Sequence, residues 1–402
     1  MTLAIAGVRV WDGVSDRLSG PCTIRVEDSR IAAIGEDPAL RDGADVVEPG
    51  PGCVALPGLI DAHVHLTLDP GERDPVRQAA RSPDAVSRAA AERAAAMVRA
   101  GITTARDLGG GPAHLELALR DRIAAGELSG PRLLCAGQPL TSRGGHCHFW
   151  GGEVEGDDEI RDFVRRQGDA GVDWIKIMAT GGVLTKGTRP GEAQFEQADL
   201  EVACDAARLA GRRVAAHCHA TEGIRRAVRA GVDSVEHCSW SGEKGFGADV
   251  DAALAGEIGE RGTWISPTVN AGWKRFVTDE QGAETEFFSN MRGAFDALRG
   301  AGARLIASTD AGIPNVAHDG LPRALPVFGR FAGLSPVEVL RCATSESARA
   351  LGVDDRTGRL QPGLEADLLV VEGDPLEDLA ALERPALVLA RGVRAEAQGP
   401  RR

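Results

Sequence analysis

The 402-residue sequence predicts an α/β protein, a (β/α)8 TIM barrel carrying a small discontinuous β-sandwich. Three observations point there. Apolar strand-like runs alternate with alanine-rich helical stretches over about residues 56–350, the order that parallel strands with helical crossovers require. Eight such runs can be counted, as in a closed TIM barrel. Short strands separated by polar turns occupy both chain ends instead. The expected domains are residues 1–55 with 358–402 for the sandwich and 56–357 for the barrel.

Taken in order, residues 3–5, 8–10, 23–26 and 31–34 read as sandwich strands, with the turn Glu27-Asp28-Ser29-Arg30 before the last. Barrel strands are expected at 54–60, 103–107, 132–136, 174–178, 214–217, 234–237, 264–266 and 305–308. Helices are expected at 83–100, 157–170, 197–210 and 221–229. Gly101, Gly171, Gly211 and Gly231 stand between these helices and the next strands, and glycine is favoured just past a helix C-terminus. The turn-rich segment Gly358-Arg359-Leu360-Gln361-Pro362-Gly363 then leads back to strands at 366–371 and 386–390. An open doubly wound sheet is the alternative, but no Gly-x-Gly-x-x-Gly turn supports it.

Composition narrows the function. With 43% hydrophobic and 26% charged residues, the chain has the make-up of a globular protein. A formal charge of −13 argues against nucleic acid or an anionic membrane as partner. The N-terminus has no basic region followed by an apolar one, and no run approaches a membrane span. A cytoplasmic protein is expected. The eight cysteines form no Cys-x-x-Cys pair, consistent with a reducing compartment. Cys218 and Cys238 each follow a candidate ligand histidine and read as small packing residues.

The chemistry is concentrated in Asp61-Ala62-His63-Val64-His65, directly after the apolar run Leu56-Pro57-Gly58-Leu59-Ile60. Residues two apart on a strand share a face, so both imidazoles project together, a geometry suited to a divalent metal. Further donors fall at later strand ends: Lys176, His217 and His219, His237, and Asp310. Each has a plainer alternative. A lone barrel histidine is often a hydrogen-bonded core residue, and a lone Asp often caps a helix. Lys176 resists that reading, because its strand is apolar on both sides and lysine is rarely buried without a partner.

These residues resemble the amidohydrolase superfamily of metal-dependent hydrolases. The motifs are Leu56 to His65, Ser308-Thr309-Asp310-Ala311-Gly312, and Gly358 to Leu368. Trp174-Ile175-Lys176-Ile177-Met178-Ala179-Thr180-Gly181-Gly182 and Thr141-Ser142-Arg143-Gly144-Gly145-His146 are most similar to the branch of imidazolonepropionase relatives and barrel-type Xaa-Pro dipeptidases. The resemblance implies two zinc-like ions. His63, His65 and Asp310 would hold the more buried one, His217 and His237 the second, and a carboxylated Lys176 would bridge them. Without that modification, a mononuclear site of His63, His65, His217 and Asp310 remains. His219 either replaces His217 as ligand or contacts substrate.

The implied reaction is hydrolysis of a C–N bond in an amide, dipeptide or cyclic amide by metal-activated water. Asp310 would shuttle the proton. His146, in the loop Gly144-Gly145-His146-Cys147-His148, would steady the oxyanion or a substrate carboxylate. His148, Arg143, Trp240 and His318 are candidate substrate contacts, as are Lys186 and Arg189 for a carboxylate and Phe149 and Trp150 for the wall. The absence of tyrosine removes a contact that some relatives use. An ester, lactone or phosphonate-ester hydrolase is the alternative, and a catalytically silent scaffold is the non-enzyme reading. The partner is a small-molecule substrate, and a homo-oligomer is compatible with the resemblance.

Overall fold

A computed structural model describes residues 2–74, 77–78, 80–111 and 113–395. Of the expected sandwich segments, Met1 and residues 396–402 lie outside them.

The barrel strands are Leu59–Val64, Ile102–Asp107, Arg132–Cys135, Trp174–Met178, Arg213–Ala220, Ser234–Ser241, Trp264–Ser266 and Arg304–Leu305. Neighbours pair in parallel within two arcs. Backbone bonds close both seams. Leu140 N donates to Lys176 O at 2.8 Å between the third and fourth strands. Between the eighth and first, Ala62 N donates to Ala307 O at 3.1 Å and Asp310 N to His63 O at 2.9 Å.

The first strand departs from expectation. Residues 54–60 do not form one strand. Cys53–Pro57 pairs antiparallel with Leu368–Glu372 in the sheet domain, and the barrel strand starts afresh at Leu59. Gly58 turns the chain between them in a tight space, where a Cβ would lie 2.1 Å from Thr103 Oγ1. His63 is therefore inside the first barrel strand and not beyond it. The fifth and sixth strands run past His217 and His237, to Ala220 and Ser241.

Helices pack around the barrel by their apolar stripes. In Gly156–Asp169 the buried residues are Ile160, Phe163, Val164 and Gln167, the spacing of one helix face. Ser82 and Pro83 start Pro83–Arg99, the serine hydroxyl accepting from Ala85 N. Gly101, Gly171, Gly211 and Gly231 all lie at positive φ, as expected for residues that stop a helix.

The sheet domain holds eight strands in a single hydrogen-bonded sheet. Thr2–Val10 joins its halves: it pairs antiparallel with Cys22–Glu27 and, through Arg9 and Val10, in parallel with Val54 and Ala55. Side chains from both halves, among them Ile5, Ile24, Leu368 and Leu389, share one core. All eight cysteines are free and buried; Cys218 and Cys238 pack in the barrel core as expected. Among the described residues, no helix is long and apolar enough to cross a membrane.

Candidate metal centre

Two donor clusters form where the barrel strands end. His63, His65 and Asp310 make one, and His217, His219 and His237 the other, with the donor atoms of each within 4.8 Å of one another. His63 Nε2 lies 3.3 Å from His65 Nε2, and Asp310 Oδ1 lies 3.4 and 3.2 Å from these two nitrogens. The rings of His63 and His237 are 5.3 Å apart, so the clusters adjoin.

Hydrogen bonds behind the imidazoles set which nitrogen faces the centre. His63 Nδ1 donates to Glu236 Oε2 at 2.9 Å, and His65 Nδ1 to Gly109 O at 2.6 Å. Each leaves its Nε2 as an inward lone pair, the arrangement that orients metal-binding histidines. His237 Nδ1 meets Thr268 Oγ1 at 2.8 Å, and His219 Nδ1 meets Ser239 Oγ at 2.7 Å. His217 Nε2 donates to Gly181 O at 3.2 Å, which leaves Nδ1. At His65 burial is outweighed by Asp310 and the pKa is raised; at the other four rings burial disfavours an added proton. It lowers His63 to about 4 and His219 to about 3, and pushes His217 and His237 well below the usual histidine range. Neutral imidazole is the metal-binding form.

Lys176 lines the same cavity and interacts by charge with members of both clusters. It is 1% exposed, and its Nζ has no hydrogen-bond partner. Burial draws its pKa down to about 8. Asp310 is only partly buried, and although desolvation would raise its carboxyl, His63, His65 and Lys176 hold it below the usual range. Two lone-pair nitrogens and a carboxylate converging within 3.4 Å repel one another unless positive charge lies between them. An orphaned amine beside such a set fits a divalent metal centre in which the lysine is carboxylated.

A cavity of about 540 Å³ opens over these groups. His146 faces it with Nδ1 unpartnered, its ring 4.6 Å from that of His217. Gly182 makes room for that ring, since a Cβ there would lie 2.4 Å from His146 Nε2. Trp150 also lines the cavity.

Four expected substrate contacts fall elsewhere. Arg143 is exposed and paired with Glu159 at 2.7 Å. His318 is 3% exposed and donates from Nε2 to His65 O at 3.0 Å, bracing the backbone of the first strand instead of reaching the mouth. Trp240 is fully buried in the barrel core. His148 begins a 3-10 turn and packs on Phe149 at the rim, and neither is among the cavity-lining residues. Lys186 and Arg189 also lie off the wall, Arg189 pairing with Glu192 at 3.3 Å.

The groups behind the ligands had no motif to mark them. Glu236 is fully buried, accepting from Arg106 Nη2 at 2.7 Å and Ser234 Oγ at 2.6 Å besides His63. Burial alone would raise its carboxyl, but Arg106, His63 and Lys176 outweigh this and keep it ionised. Asp61 accepts from Thr309 Oγ1 at 2.6 Å, tying the first strand to the last. Unlike Lys176, Glu236 and Arg106 sit in strands with several other polar residues, so no comparable sequence signal marked them.

The sequence profile of the amidohydrolase family matches residues 54–394. The chain belongs to the amidohydrolase family. Ochratoxinase of Aspergillus niger is 27% identical over 367 residues, spanning 83% of this chain and 73% of its own. The crystal structure of a Xaa-Pro dipeptidase with methionine bound in its active site superposes with a TM-score of 0.83 at 27% identity, covering 99% of this chain and 100% of the other. A prolidase complexed with N-methylphosphonate-L-proline gives 0.85 at 25% identity, again over 99% and 100%. By family this chain is an amidohydrolase enzyme, with a TIM barrel and a separate sheet domain.

Proposed function

We propose that this amidohydrolase hydrolyses an amide-type C–N bond of a small molecule at a dinuclear zinc centre. His63, His65 and Asp310 are assigned to one ion, His217 and His237 to the second, and a carboxylated Lys176 to both, with His219 left facing substrate. The observation that carries this is the buried, partnerless Lys176 Nζ in the cavity that both donor clusters line. Lysine burial without a partner is costly, and a carbamate would turn that amine into a bidentate oxygen ligand. When bound, divalent ions polarise a carbonyl and acidify water.

The chain's own residues complete the chemistry. As water oxygen bonds to the carbonyl carbon, the ionised Asp310 takes the water proton. It returns that proton to the nitrogen as the C–N bond breaks. His146 faces the same space and hydrogen-bonds the developing oxyanion. Glu236, anchored by Arg106, keeps the proton of His63 on Nδ1. The cavity wall restricts bulk water around the reacting groups.

With the boundary moved to Gly58, residues 58–357 are assigned as the catalytic barrel, and 2–57 with 358–395 as a structural domain. A cytoplasmic enzyme without nucleic-acid or membrane partners fits the net charge of −13. Elemental analysis of the zinc-loaded full chain tests the centre. Two ions per chain are expected, and none would overturn it. Failure to hydrolyse any amide while an ester or lactone is cleaved would transfer the assignment to C–O bonds.

A further inference from the structure

The wall opposite the donors is aromatic. Phe246 follows the sixth strand, Trp273 and Phe276 lie on the 3-10 turn Ala271–Phe276, and Phe287 begins the helix Glu286–Gly300; all four line the cavity. Their rings form one edge-packed cluster. Phe287 lies 5.0 Å from Phe276, 5.2 Å from Trp273 and 6.4 Å from Phe246. Trp273 is backed by the fully buried Phe331 at 5.2 Å. The cluster reaches the donor groups directly, with Phe246 5.3 Å from His219. Val183 and Leu184 extend the apolar surface.

Charge tells the same story. Among the described residues lining the cavity, Lys176 is the sole ammonium or guanidinium, and it lies on the floor among the metal donors. Of the nearby cations, Arg143 and Arg189 are in surface ion pairs, and the exposed Arg275 stacks 4.5 Å over the Phe276 ring without lining the cavity. A carboxylate held against this wall would be desolvated without an ionic partner, which is expensive. The chain's formal charge of −13 also disfavours anionic ligands.

We propose that the substrate is an uncharged amide bearing an aromatic or bulky apolar group that lies against Phe246, Trp273, Phe276 and Phe287, and that it lacks a carboxylate next to the scissile bond. This rests on the amide-hydrolase reading above and narrows it away from free dipeptides. An aromatic ring gains both apolar burial and edge-to-face contacts on such a wall.

The test uses the zinc-loaded full chain and two ligands differing by one carboxylate, N-acetylphenethylamine and N-acetylphenylalanine. Equilibrium dialysis reads binding, and initial rates read kcat/KM. The neutral amide is expected to bind roughly tenfold tighter or better; equal or tighter binding of the carboxylate overturns the proposal. Trp273→Ala with Phe276→Ala should weaken binding of the neutral amide by roughly tenfold at unchanged zinc content and circular dichroism, and undiminished binding overturns the wall assignment. Val183 is 77% exposed, so Val183→Arg avoids a folding defect; it should move preference toward N-acetylphenylalanine, and no shift counts against the proposal. Selective binding of the neutral amide with no amide hydrolysed would defeat the proposed function and leave this recognition standing. Hydrolysis favouring the carboxylate would do the reverse.

Discussion

The two ends of the barrel are built by different rules. At the C-terminal end, His237, Thr268 and Asp310 adopt left-handed backbone, with φ of +66°, +55° and +61°. Such residues cost about 1–3 kcal/mol each. Lys176 Nζ and His146 Nδ1 are buried there without partners. At the other end, charges are matched across the domain boundary: Arg132 of the third strand pairs with Glu365 at 2.6 Å and Asp367 at 2.8 Å. The left-handed non-glycine residues of the sheet domain, Asp28, Ser29 and Arg391, fall in turns. Left-handed candidate ligands thus collect where chemistry is expected, whereas buried polar atoms without hydrogen-bond partners occur at both ends, Thr103 Oγ1 and Arg132 Nε among them at the base.

Substitutions at the two ends should separate activity from stability. The largest effect is expected for Asp310→Asn, which removes the proton carrier. Turnover should fall by about a thousandfold or more while the circular dichroism spectrum is retained; activity within tenfold of the parent would refute the assignment. Glu236→Gln comes next. It leaves Arg106 buried without its ion partner and frees His63 to reorient, so stability should drop by about 3–5 kcal/mol. Zinc affinity should fall roughly 10–100-fold, as read by chelator competition. Arg132→Ala acts at the base. It should cost about 3 kcal/mol in denaturant unfolding, with kcat/KM per folded molecule unchanged. A loss of turnover there would mean that the two ends are more tightly coupled than the contrast suggests.

The pH response of Lys176 is smaller. Burial draws its folded pKa to about 8, below the 10.5 of an ordinary lysine. Between these values the unfolded chain binds the extra proton, so this group makes the metal-free protein more stable as pH rises from about 8 towards 10.5. Carboxylation needs the free amine, whose fraction grows from roughly a tenth at pH 7 to roughly nine-tenths at pH 9. Bicarbonate-assisted zinc reconstitution should accelerate accordingly, and a pH-independent rate would contradict a carboxylated Lys176. Smallest of all, Leu209→Glu alters a residue 91% exposed on a helix end and should shift stability by no more than about 0.5 kcal/mol.

Much of this contrast was legible in the chain. Strand periodicity and the glycines after helices located the barrel elements to within a few residues, because burial and capping are local demands. The exception, residues 54–60, shows the limit. An apolar run has the same appearance whether it feeds one strand or two, and only the different pairing partners, Leu368–Glu372 and Ile102–Asp107, separate them.

By itself the sequence determined the strand–helix order and singled out His63, His65, Lys176, His217, His237 and Asp310 as candidate donors, since metal-binding side chains on strand ends are chemically conspicuous. Tertiary structure alone decided which nitrogen of each imidazole faces inward, that Glu236 and Arg106 stand behind His63, and that Arg143 and His318 point away from the cavity. It also assembled Phe246, Trp273, Phe276 and Phe287 into one wall. Those properties depend on distances between residues far apart in the chain, which no local pattern encodes.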